Sequence, residues 1–265
     1  MSSFALAIAL LVSGILLAAP ASTSGRLSSL ASRLWSEPLA VTHTLDGRPM
    51  EVFGLPVEEA RSVLLPVSRE RAAPPEYVPH DLVWTLARPV RAILVEDLEA
   101  MLEAASDDGV DIVMVSGYRS PADQVAAFEA TTRRVLARSG GAMTWEEAEA
   151  QVSRVVAPPG HSQHQLGTAV DVSTGDIGYV LQPMFAETDA GRWVAEHAWE
   201  YGFILPYTPE GEDQTGYAYE PWHLRWVGRQ LSAILQADGY LDDTSVVADD
   251  YLRAVEELMD WERMP

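Results

Sequence analysis

The chain has 265 residues, enough for one sizeable globular domain with attachments but hardly for two large domains. Its 48% apolar and 22% charged residues exclude a wholly disordered or multi-spanning chain. The net charge of -21, with no Lys, makes nucleic acid and anionic lipid poor partners, and the lack of Cys excludes disulfides, thiolate zinc sites and cysteine nucleophiles.

The first apolar segment, residues 4–21 (FALAIALLVSGILLAAPA), is typical of an export signal. Ala19-Pro20-Ala21 fits the small-residue cleavage pattern, and polar residues follow it. About 18 apolar residues are also close to the lower limit for a membrane span. Residues 1–25 are therefore expected to be a signal peptide or a retained anchor, with membrane contact confined to this segment.

Domain boundaries follow from proline pairs and from changes in periodicity. Residues 26–73 form an N-terminal extension to which we assign no chemistry. Pro74-Pro75 stops regular structure and stiffens a connection, so a catalytic domain is predicted at 74–235. A helical C-terminal extension follows at 236–265, and we expect a monomer.

Helical and strand-like segments alternate through the predicted catalytic domain. Helices are predicted at 94–105, 121–137, 145–156, 190–201, 228–238 and 246–261, and strands at 111–116, 168–173 and 217–227. Thr144 and Glu147 stand in capping-box positions at the start of one helix. This order predicts an α+β fold with a small sheet.

Two of the six histidines lie among carboxylates and turn residues in a way that indicates a metal site. His164 and Asp171 flank Gly167, where the chain can turn toward the following strand. His223, from a distant segment, supplies a third ligand. Two imidazoles and a carboxylate suit Zn²⁺ and leave a fourth position open, as in catalytic sites.

Residues near these ligands have side chains suited to amide hydrolysis. Glu220 precedes His223 by one turn, and its carboxylate can take a proton from water and return it to a leaving amine. Arg119, in the segment SGYRS, has the forked donor geometry that suits a substrate carboxylate or an oxyanion. Gln124 follows by about one helical turn and is expected to contact the same substrate.

These motifs resemble those of the VanY-like group of zinc D-alanyl-D-alanine carboxypeptidases and dipeptidases, the LAS-type metallopeptidases. The matching residues are Ser162, His164, Gly167, Ala169 and Asp171, then Glu220, Trp222 and His223, with Ser116–Ser120 upstream. Similar flanking text extends the resemblance over about residues 74–235. One departure is Gln163, which stands where the family has Glu.

The resemblance implies a hedgehog/D,D-peptidase-like fold, with a small, mainly antiparallel sheet flanked by helices. It also implies one zinc ion, held by His164, Asp171 and His223, with Glu220 as acid/base and Arg119 stabilising the oxyanion. A further expectation is that Arg119, Gln124 and Ser162 bind the substrate.

The implied activity is removal of the terminal D-Ala from peptidoglycan stem peptides outside the cytoplasm. An endopeptidase or D,D-dipeptidase of the same fold remains an alternative, and a non-catalytic zinc-binding cell-wall module is another. We expect residues 174–190 and 207–216 to form the cleft walls that decide between the enzymes.

Overall fold

The computed structural model describes residues 41–43, 49–85, 88–243 and 248–260. The predicted export segment lies outside these residues. Within the described ranges, no helix is both long enough and apolar enough to cross a membrane. The chain divides into two compact units, one comprising residues 1–64 with 250–265 and the other residues 65–249.

The smaller unit contains a three-stranded antiparallel sheet and helices. Its strands are β1 (Val41–His43), β2 (Pro49–Val52) and β3 (Leu55–Pro56), its first helix is α1 (Val57–Val63), and helix α8 (Ala248–Asp260) lies mostly within it. Ala60 and Val63 of α1 are fully buried, as are Leu252 and Val255 of α8. We assign this unit no chemistry.

The larger unit carries two antiparallel sheets and most of the helices. The strands are β4 (Leu82–Thr85), β5 (Arg88–Arg91), β6 (Val113–Ser116), β7 (Ala169–Ser173), β8 (Phe203–Ile204) and β9 (His223–Trp226). The helices are α2 (Val95–Asp107), α3 (Pro121–Arg138), α4 (Trp145–Val152), α5 (Asp189–His197), α6 (Glu212–Thr215) and α7 (Arg229–Ala237). Short 3₁₀ turns cover Ala92–Leu94, Gln163–Leu166, Gly175–Ile177, Pro183–Glu187 and Ala198–Tyr201.

Strand β7 lies inside the sheet that positions the site. The sheet order is β6-β7-β9-β8, and every pairing is antiparallel. All five residues of β7 are buried, as expected for a strand with neighbours on both sides. Val170 and Val172 share one face of this strand, and Asp171 points to the other. A carboxylate therefore comes to lie in a strand that is otherwise apolar or small.

The predicted helix caps are confirmed, and two predicted ends are wrong. Thr144 and Glu147 form the capping box at the start of α4. This helix ends at Val152 and not at 156, and Ser153 is its C-cap. The predicted strand 217–227 is shorter as well, because the chain turns just before β9, where the His223 amide donates to the Glu220 carbonyl.

Candidate active site and metal centre

His164 lies in the 3₁₀ turn that precedes β7. Gly167 ends this turn at a φ of 69°, and a Cβ there would lie 2.9 Å from Cγ of Arg91, so only glycine fits without displacement. The Nδ1 of His164 lies 2.8 Å from the carbonyl oxygen of Gly117. Donation to that carbonyl leaves Nε2 with a lone pair, directed toward Asp171 at 3.2 Å from Oδ2.

His223 approaches the same carboxylate from the neighbouring strand. Asp171 and His223 are register partners in the β7–β9 pair, and His223 Nδ1 lies 3.0 Å from Asp171 Oδ1. The rings of His164 and His223 meet edge to face, with centroids 4.9 Å apart. Each carboxylate oxygen thus faces one imidazole nitrogen.

This cluster fits a zinc ion by its donor chemistry. One ligand atom from each of His164, Asp171 and His223 lies within 4.8 Å of the others, and all three residues are buried. Burial alone would raise the pKa of Asp171, but the charge and hydrogen bonds of the two histidines outweigh it and hold that pKa far below its usual range. Burial also lowers the pKa of His223 to about 4. Zinc binding requires neutral imidazoles and an ionised carboxylate, and the low pKa values of Asp171 and His223 favour these states for those two residues.

Glu220 stands at the edge of the cluster on the turn before β9. Its amide donates to the carbonyl of Tyr207, and its Oε2 lies 3.9 Å from Nδ1 of His223. Burial and, to a smaller extent, the charge of Asp171 raise the pKa of Glu220, the charge of Arg119 lowers it, and the net pKa is about 8. A carboxyl group with this pKa can both accept and return a proton near neutral pH.

Arg119 lies in the loop after β6, with its backbone amide donating to the carbonyl of His164. Its guanidinium donates to Oε1 of Gln124 at 2.9 Å, and Nε2 of Gln124 donates to the carbonyl of Ala157 at 2.6 Å. Arg119 lines the pocket. Gln124 is fully buried and is not among the pocket residues, so in this structure it contacts Arg119 and the 157 carbonyl.

A pocket of about 470 Å³ opens over the cluster. It brings together Ser162 and all the other predicted site residues except Gln124. The full lining is Arg119, Val155, Val156, Ala157, Ser162, Gln163, His164, Asp171, Leu181, Gln182, Pro183, Tyr207, Tyr217, Ala218, Tyr219, Glu220, Trp222 and His223. The two predicted walls contribute residues 181–183 and Tyr207.

Sequence reasoning missed one part of this lining and one contact within it. Residues 155–157 form an apolar wall, whereas the sequence predicts a helix that continues through residue 156. Tyr207 packs its ring against His223, with centroids 5.0 Å apart, and against Tyr217 at 5.1 Å. Tyr207 begins the predicted wall 207–216, but its contact with His223 was not predicted.

The chain as a whole is similar to known proteins. The family profile described as VanY, D-alanyl-D-alanine carboxypeptidase, matches residues 87–229. YodJ of Bacillus subtilis is 31% identical over 212 residues, which cover 76% of this chain and 71% of that protein.

Two solved structures share the fold. VanYB in complex with D-alanine-D-alanine superposes with a TM-score of 0.60 at 29% identity, covering 72% of this chain and 97% of that one. A VanY variant from the VanB-type resistance cassette, in complex with Zn(II), gives 0.60 at 28% identity, covering 72% and 99%. These matches confirm the predicted α+β fold and the predicted family. Since the profile covers more than half of the chain and the fold agrees, this protein belongs to the VanY family of D-alanyl-D-alanine carboxypeptidases.

Proposed function

We propose that this protein is a zinc-dependent carboxypeptidase that removes the terminal D-Ala from peptidoglycan stem peptides. The observation that carries the proposal is the convergence of His164, Asp171 and His223 at a pocket that also contains Glu220 and Arg119. Solved relatives with bound Zn(II) and with D-Ala-D-Ala support the same metal and substrate class.

The three clustered side chains would hold the metal. His164 would bind through Nε2, because Nδ1 is engaged by the Gly117 carbonyl, and His223 through the Nδ1 that faces Asp171. Zinc, when bound, supplies a Lewis acid that polarises a carbonyl and lowers the pKa of a coordinated water to about 7.

Glu220 is the general base and then the general acid of the proposed reaction. Burial, which raises the pKa of Glu220, makes its carboxylate a better acceptor for the proton that the attacking water gives up. The same proton passes to the amide nitrogen as the C–N bond breaks and D-Ala leaves as an amine. Oε2 of Glu220 lies 3.9 Å from Nδ1 of His223, so this proton transfer would take place beside the proposed metal ligands.

Arg119 supplies a fixed positive charge in the pocket. Its guanidinium suits either the substrate's terminal carboxylate or the oxyanion that develops on the attacked carbonyl. Ser162 is buried, lines the same pocket and is proposed to contact the peptide. Gln124 accepts a hydrogen bond from the Arg119 guanidinium, and we propose that it acts on the substrate indirectly by orienting Arg119.

The proposed substrate lies outside the cytoplasmic membrane. Export through residues 1–25 agrees with that location, and we propose that the enzyme acts there as a monomer. The strongly acidic chain gives no support to a nucleic acid partner.

Two alternatives are weighed against this proposal. A non-catalytic zinc module has no need of a proton acceptor, whereas Glu220 and Arg119 both line the pocket. An endopeptidase or D,D-dipeptidase would use the same chemistry with different pocket walls.

The test incubates the full-length protein with a stem pentapeptide ending in D-Ala-D-Ala, once with zinc and once with a chelator, and identifies the products by mass spectrometry. Zinc-dependent loss of one alanine is expected, whereas loss of a dipeptide or internal cleavage would contradict the carboxypeptidase assignment.

A further inference from the structure

We propose that Gln163 is a positioning residue for the metal centre: by accepting a hydrogen bond from Nε2 of His223, it favours the tautomer in which Nδ1 carries the lone pair that would bind the metal. This role rests on the proposed zinc site. It also goes beyond that site, because it gives a function to a side chain that is neither a ligand nor an acid or base.

The two nitrogens of His223 have different partners. Nδ1 lies 3.0 Å from Asp171, on the side where the ligand atoms converge, whereas Nε2 lies 3.1 Å from Oε1 of Gln163. A neutral imidazole carries one proton, and a nitrogen that binds metal must be the unprotonated one. An acceptor at Nε2 therefore favours the tautomer that metal binding through Nδ1 requires, whereas the Asp171 carboxylate at Nδ1 favours the opposite tautomer while no metal is bound.

The orientation of the Gln163 amide is itself fixed. Its Nε2 is directed at the carbonyl oxygen of Val67, 3.5 Å away, so that Oε1 is the atom that faces His223. Val67 is fully buried and packs with Ala73 and Leu166. A flipped amide would direct its NH₂ at His223 and face the Val67 carbonyl with another oxygen, leaving two acceptors opposed.

Both histidine ligands thus use a neutral oxygen to orient the ring. For His164 this oxygen is the Gly117 carbonyl, which substitution cannot remove. For His223 this oxygen is Oε1 of Gln163, whose side chain is only 2% exposed, so water cannot readily replace this acceptor. Partners of this kind usually contribute about 10- to 100-fold in metal affinity or activity.

The chain provides a matched control on the same turn. Gln165 is equally buried, at 1% exposed, and its amide donates to the carbonyls of Pro74 and Tyr77 at 3.3 and 3.4 Å. It is not among the residues that line the pocket. Gln165→Leu removes buried hydrogen bonds as Gln163→Leu does, but leaves the metal ligands unaltered.

The test measures zinc affinity of the full-length protein by competition with a chromophoric chelator. Gln163→Leu and Gln163→Met, which lack the acceptor, are expected to bind zinc about 10- to 100-fold more weakly. Gln163→Glu, which keeps an acceptor toward His223 but loses the donor to the Val67 carbonyl, should bind zinc more tightly than Gln163→Leu. Gln165→Leu should lower the thermal unfolding temperature but not the zinc affinity.

Three results would overturn this role. One is an unchanged zinc affinity in both Gln163→Leu and Gln163→Met. Another is a Gln163→Glu variant as weak as Gln163→Leu, because restoring the acceptor would then have no effect. The third is a loss of zinc affinity in Gln165→Leu as large as that in Gln163→Leu, because general destabilisation would then explain both losses. Failure of the unchanged protein to bind zinc would instead refute the proposed function.

Discussion

Asp171 and His223 are direct partners across strands β7 and β9, and their side chains meet with Oδ1 and Nδ1 3.0 Å apart. Side chains opposite each other in an antiparallel pair lie on the same face of the sheet. The hydrogen bonds of the sheet therefore fix two of the three proposed ligands before any metal binds. Only His164 comes from outside the strands, and the turn closed by Gly167 brings it into place.

Asp171→Asn is expected to weaken zinc binding by at least about tenfold while leaving the fold intact, since the amide keeps the shape but loses the charge. Titration with zinc, followed by circular dichroism, measures both effects. Asp176→Asn, at an exposed position outside the pocket, is the control. Unchanged zinc affinity in Asp171→Asn would remove that residue from the metal site.

Glu220→Gln is expected to retain zinc and to lose about 10²- to 10⁴-fold in kcat, because a general acid/base is removed but no ligand is. Metal content by mass spectrometry and D-Ala release give the two readouts. Glu210→Gln, on an exposed turn, should behave as the unchanged protein. Near-normal turnover in Glu220→Gln would contradict the assigned role.

Arg119→Ala is expected to lower kcat/KM by about 10²- to 10³-fold, and Arg119→Lys by less, because a point charge cannot replace the guanidinium fork. A second substrate, amidated at its C-terminus, separates the two roles of Arg119. If the residue binds the terminal carboxylate, amidation and Arg119→Ala will have strongly non-additive effects. Additive losses would assign Arg119 to the oxyanion alone, and an unaffected Arg119→Ala enzyme would exclude both roles.

Removal of the metal is expected to abolish D-Ala release and to lower the unfolding temperature. A ligand at 100 times its Kd stabilises the folded state by about 2.7 kcal/mol, so added zinc should restore both properties. Differential scanning calorimetry with chelator, and then with excess zinc, measures the shift. Activity that survives full chelation would rule out a metal-dependent reaction.

The sequence was sufficient for the parts of the site that depend on residue type and local spacing. The proposed zinc ligands and Glu220 were predicted from residue type, nearby turn residues and the family resemblance, and the structure brings them together at one pocket. The apolar wall at 155–157 was missed because its spacing continues that of α4, and only Pro158 signals the break. Periodicity could not separate a helix end from a pocket wall.

The burial of Gln124 was not predictable either. One helical turn after Arg119 it could face the substrate or the protein, and the choice depends on the carbonyl of Ala157, which comes from a distant segment. The same holds for Tyr207, whose contact with His223 depends on how the chain turns before β9. Long-range contacts of this kind leave no periodic signal in the sequence.

The most direct test is a crystal structure of the zinc-soaked protein with an anomalous difference map at the zinc edge. We predict one strong peak bound by His164 Nε2, His223 Nδ1 and an Asp171 carboxylate oxygen, each at about 2.0–2.2 Å. A fully occupied zinc peak elsewhere, or none beside these three side chains, would contradict the proposed metal centre.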